Sequence, residues 1–174
     1  MNRKFVIINV FVIFALGFLI HGIYGWIPSI ITSIFPVNES LYEHIKLIFY
    51  SPLIGSTILY FIFKYRGNII NNFLPGLVIS TFFNIVIFYL TFLPIYYKIG
   101  ENLLVTLIIY FITICLSQYL NYIIINQKQY KKGNTICIII IIITMITLTY
   151  FTYNPIKTDF FKDPKEHYYG IKKK

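Results

Sequence analysis

Five long apolar runs, approximately residues 5–27, 45–63, 74–97, 103–126 and 135–153, take up most of this 174-residue chain. Each is about as long as a helix needs to be to cross a bilayer, roughly 17 to 25 residues. Lipid offers backbone N–H and C=O groups no partner, so a run of this kind that enters it must bond internally as a helix. The runs therefore predict an all-α, integral membrane bundle of five transmembrane helices, with residues 1–174 forming one transmembrane domain and 154–174 an outer tail. Composition agrees: 57% of residues are hydrophobic and 12% charged, against about 25% charged in soluble domains. The first run follows a basic "MNRK" and contains Ala15-Leu16-Gly17, a weak cleavage-like site. It continues apolar to Ile27, so it reads as an uncleaved span.

The connections sort by charge. Arg3 and Lys4, then Lys64 and Arg66, then Lys128, Lys131 and Lys132 occupy segments with no acid, whereas Glu39, Glu43, Glu101, Asp159, Asp163 and Glu166 all fall in the others. The positive-inside rule then puts the N-terminus in the cytoplasm and the C-terminus outside. Lys172 to Lys174 lie about 20 residues beyond the last span, where that rule weakens. The net charge of +9 comes from these short clusters. They mark topology and form no phosphate-tracking stripe, so the lipid bilayer is the expected partner and nucleic acid is not. Cys115 and Cys137 both sit within apolar runs, which excludes a disulfide framework or a paired thiolate metal motif.

The stretch "FPVNESLYEHIKLIF", residues 35–49, gathers scarce polar groups. Pro36 with Asn38, or Ser40 with Glu43 as a capping box, starts a helix that runs into the second span. Counted on that helix, Glu39, Glu43 and Lys46 share one face, and Ser40 and His44 the neighbouring one. A plain reading makes Glu43 and Lys46 a solvated ion pair at a capped, interface-anchored end. A sharper one makes the cluster a site, with Glu39, Glu43 and His44 as catalytic candidates and His21, Asn38, Ser40, Lys46, Asp163 and Tyr169 as binding candidates. Neighbouring carboxylates can share a divalent metal or divide into acid and base; His21 or Asp163 would complete a mononuclear site. HExxH, paired CxxC, Gly-rich phosphate loops and nucleophile elbows are all missing. The spans also hold Asn84, Ser117, Gln118 and Asn121, which read as interhelical hydrogen-bond glue.

"PVNESLYEHIKLIF", preceded by "HGIYGW", resembles the hallmark of a family of small bacterial multi-spanning membrane proteins of unknown function. In that family Pro-Val-Asn-Glu-Ser precedes an aliphatic and an aromatic residue, then Glu-His, an aliphatic residue and Lys. The tail "FTYNPIKTDFFKDPKEHYYGI" resembles the same family's ending, with its Phe-x-Asp-Pro step and Tyr-Gly close; the middle spans match in hydrophobicity alone. The resemblance falls on Asn38, Glu39, Ser40, Glu43, His44 and Lys46, with His21 upstream and Asp163, Pro164, Tyr169 and Gly170 downstream. "KEHYYG" departs from the small-residue turn expected there, which leaves His167 out of the set. The resemblance implies a multi-pass protein of a bacterial plasma membrane and supplies no activity. From the residues, the expected function is an outward-facing Glu/His/Lys site for an ion, lipid headgroup or partner. A metal-dependent or acid–base hydrolase or transferase is the first alternative, and a small transporter the second.

Overall fold

The computed structural model describes residues 2–27, 29, 31–130 and 133–172. The described residues form five α-helices: α1 Asn2–Trp26, α2 Leu41–Tyr65, α3 Phe73–Ile99, α4 Leu103–Ile125 and α5 Gly133–Tyr153. Two 3₁₀ turns, Thr32–Ile34 and Asp159–Phe161, punctuate the first connection and the tail. Among the described residues there is no strand, only an isolated antiparallel bridge between Lys162 and Tyr169. All five helices are long and apolar enough to cross a membrane. Lys131, Lys132, Lys173 and Lys174, counted above as charge markers, lie outside the described residues.

The apolar runs locate the helices, and hydrogen-bonding side chains place several of their ends. Ser40 is the N-cap of α2, its hydroxyl accepting the Glu43 N–H at 3.3 Å, so of the two expected starts it is the Ser40 one, ahead of the apolar run at 45, that the helix takes. Asn102 caps α4 in the same way, accepting the Val105 N–H at 3.1 Å. Asn72, at a left-handed φ of 48°, holds the start of α3 to the end of α4. Its amide donates to the carbonyls of Ile124, Gln127 and Lys128, and its oxygen accepts the Tyr130 N–H.

α1 packs against α2 and α4, and α3 packs against the same two helices, closing a ring of four. α5 lies outside the ring on α3, and its Leu148 reaches the Tyr42 and Tyr50 side of α2. Short connections make α2 to α5 successively antiparallel, with α3 and α4 joined by residues 100–102 alone; α1 runs antiparallel to α2, its Asn9 meeting Ser56 and its His21 meeting Glu39 before α2. The C-terminal ends of α1, α3 and α5 and the N-terminal ends of α2 and α4 therefore share one end of the bundle. That end carries every acidic residue. Much of α5 faces outward through Ile136, Ile139, Ile143 and Ile146, each at least half exposed, as suits a helix turned towards lipid.

Candidate functional site

The polar stretch divides between two places. Helix α2 begins at Leu41, so Glu39 precedes it and leaves the face that a helical count gave it. Asn38 is not the cap either: its side-chain oxygen accepts the Ser40 N–H at 2.8 Å, forming a turn that turns Glu39 sideways. Glu43 points inward instead. Its Oε2 lies 2.8 Å from Lys46 Nζ and accepts the Val37 N–H at 3.2 Å, while its Oε1 accepts the Thr152 hydroxyl at 2.8 Å. Lys46 Nζ also donates to the carbonyls of Ser33 and Phe35. Glu43 is 1% exposed and Lys46 0%, so the solvated ion pair expected from the sequence is a buried one. Its hydrogen bonds are filled from the first connection and from α5, which is what makes burying two charges tolerable.

The tail folds back over this end. Asp163 accepts the backbone N–H of Glu39 at 3.0 Å through Oδ2, and those of Lys165 and Glu166 at 2.8 Å each through Oδ1. Burial opposes ionisation of Asp163, but the N–H donations from Glu166, Glu39 and Lys165 outweigh it and hold its carboxyl below the usual aspartate range. Through these three backbone donors Asp163 positions Glu39. Asn38 Nδ2 donates to the Gly170 carbonyl at 2.9 Å. Tyr169 pairs through its backbone with Lys162, and His167 occupies the left-handed turn between them at φ 61°.

Glu39, aimed by these contacts, meets both remaining histidines. His21 Nε2 from α1 is 3.5 Å from Glu39 Oε2, and His44 Nε2 from α2 is 4.0 Å from it. Lys165 Nζ, from the tail, lies 3.7 Å from the same oxygen. The hydrogen bond and charge of His21, with the charges of His44 and Lys165, overcome partial burial and pull the Glu39 carboxyl down to about 2. His44 Nδ1 lies 2.9 Å from the Ser40 carbonyl, which can only accept, so Nδ1 carries a proton and Nε2 is the ring nitrogen turned to Glu39. Nε2 can then either carry a second proton, as an imidazolium paired with the carboxylate, or give its lone pair to a metal ion held with Glu39. One ligand atom from each of His21, Glu39 and His44 lies within 4.8 Å of the other two.

These three residues sit at one end of a cavity of about 340 Å³. Gly17, Phe18, Leu47, Ile48, Phe88 and Tyr110 wall its depth, and Glu101 and Lys165 join its polar end. Sequence reasoning did not single out Lys165 or Glu101 as members; nothing but their position on the charged face signalled either. It also passed over Asn9, the lone amide in the first apolar run. Asn9 Nδ2 donates to Ser56 Oγ at 2.8 Å and to Gln118 Oε1 at 2.9 Å, and Asn121 donates to the same Gln118 oxygen at 3.0 Å. The interhelical glue expected of Gln118 thus ties α1, α2 and α4 together through Asn9, whereas Asn121 and Ser117 bond within α4, Ser117 to the Ile114 carbonyl. Gly76 lets α3 come close there, since a Cβ on it would meet Asn121 Oδ1.

Fold and cluster together define a multi-pass membrane protein of five helices, with a histidine–carboxylate cluster at the acidic end of the bundle. More particularly, the chain belongs to a family of unknown function, DUF6512, whose pattern it matches over residues 1–171. No curated protein and no solved structure matches it.

Proposed function

We propose that this protein binds one divalent transition-metal ion through His21 Nε2, the Glu39 carboxylate and His44 Nε2. The observation that carries the proposal is the spacing of these atoms. Ligands about 2.0 to 2.2 Å from a tetrahedral zinc ion lie roughly 3.3 to 3.6 Å apart, and the His21–Glu39 separation is 3.5 Å. The His44–Glu39 separation of 4.0 Å needs a small inward turn of one side chain. The Ser40 carbonyl behind His44 Nδ1 is the kind of partner that fixes the tautomer and orientation of a metal-bound imidazole. Two nitrogens and one carboxylate leave a fourth position open, the pattern of catalytic zinc sites.

The site faces outward in this reading, on the side opposite the Arg3, Lys4, Lys64, Arg66 and Lys128 end, with the N-terminus inside and the whole of 1–174 acting as one unit in a bacterial plasma membrane. The second reading, a metal-dependent hydrolase or transferase, is favoured by Glu101: it borders the same cavity outside the ligand set, where a general base would stand. Asn9, Gln118 and Asn121 bond to one another, which supports packing over a transport path.

The test is metal content and affinity in purified protein stripped with chelator and reloaded with Zn²⁺ or Co²⁺. One ion per chain is expected, with Co²⁺ giving the visible absorption of a tetrahedral site. Glu39→Gln, His21→Ala and His44→Ala should each weaken binding at least ten-fold, while Glu166→Gln, on the exposed tail, leaves it unchanged. Failure of wild type to take up an ion saturably, or indifference of binding to Glu39→Gln, overturns the proposal.

A further inference from the structure

We infer that the cavity beneath the cluster seats a single-chain amphiphile with an anionic head, the head at the His21–Glu39–His44 ion and the chain among the helices. This rests on the metal reading above for its head and on the cavity alone for its tail.

The cavity is two-sided in its chemistry. His21, Glu39, His44, Glu101 and Lys165 collect at its outer end, while Phe18, Leu47, Ile48, Phe88, Leu107 and Tyr110 form the deeper wall. On α4 the lining runs from Leu103 to Tyr110, a depth of about 10 Å at 1.5 Å per residue. A methylene takes up roughly the 30 Å³ share of a water molecule, so about 340 Å³ holds on the order of ten carbons. That seats one short chain, and the wall is too apolar for a sugar or nucleotide. Phe18 and Leu103, both lining residues, are also 51% and 70% exposed, which puts the rim between α1 and α4 on the lipid-facing surface. An amphiphile can enter sideways from the bilayer without crossing water.

Charge selects the head. With a divalent ion in place, the ion and Lys165 outweigh Glu39 and Glu101, and the open coordination position accepts an oxygen anion. A carboxylate and a phosphate monoester share that chemistry, and a quaternary or primary ammonium does not.

The experiment uses the full chain, zinc-loaded, in nanodiscs of phosphatidylcholine, with radiolabelled decanoate as probe. Saturable binding of one decanoate is expected, displaced by unlabelled decanoate or decyl phosphate and not by decylamine or acetate. Which of the first two displaces at lower concentration tells a fatty acid from an alkyl phosphate as the preferred source. Leu107→Trp fills the deep end away from the ligands; excluding two methylenes already costs about ten-fold in affinity. That variant should keep its zinc and lose decanoate binding by ten-fold or more, and Lys165→Gln should narrow the preference for decanoate over decylamine. Decanoate binding that survives Leu107→Trp in a zinc-loaded protein, or decylamine competing as well as decanoate, overturns the inference and leaves the metal site standing. If wild type takes up no zinc, the metal reading fails instead, and chain binding still sensitive to Leu107→Trp upholds the cavity's role without it.

Discussion

Lys46→Met removes a buried ammonium and keeps most of its stem, which strands the Glu43 carboxylate. Glu43 would retain the Val37 N–H and the Thr152 hydroxyl but no cation. Breaking a buried pair in this way costs about 3 to 5 kcal/mol. We therefore expect a loss of about 3 to 5 kcal/mol. The double variant Glu43→Gln/Lys46→Met leaves no charge buried and should recover to within about 1 kcal/mol of wild type. Reversible unfolding in mixed micelles, titrated with sodium dodecyl sulfate, reads both quantities. A single variant within about 0.5 kcal/mol of wild type, or a double variant no better than the single, would refute the claim that this pair is buried and mutually required.

Gly170 has φ 61°, and a Cβ there would run into the Thr152 carbonyl; Gly170→Ala should undock the tail, seen as faster amide exchange over residues 163–170, and unchanged protection would refute the docking geometry. For orientation, with Cys115 and Cys137 replaced by alanine, cysteine at exposed Lys157 should react with an impermeant maleimide in intact cells and cysteine at exposed Gln129 should not; the reverse pattern would invert the proposed topology.

Helix positions were legible because lipid solvation leaves an apolar run few alternatives. The start of α2 was legible from the Ser40–Glu43 capping box and not from hydropathy. Glu43, His44 and Lys46 look like a polar connection when hydropathy is averaged, yet they belong to the helix, since Ser40 caps it and the first connection neutralises two of them. The periodicity that put Glu39, Glu43 and Lys46 on one face assumed a helix already begun at Glu39. It had no means of knowing which face the loop at residues 33–37 and Thr152 would cover, and hence that the pair was buried. His21 could be placed near the same boundary by counting rise along α1, and the structure brings it to Glu39. Lys165 could not, because its approach depends on the tail's reversal through Asp163, a tertiary contact with no periodic signature.

That reversal has a consequence for biogenesis. Glu39 is aimed by a carboxylate 124 residues further along the chain, and Glu43 by a threonine 109 residues further along. A nascent chain with α1 and α2 already inserted therefore displays both histidines while Glu39 still lacks its anchor. Assembly of the cluster becomes a late event in synthesis, and a truncated or stalled product is left without a competent centre.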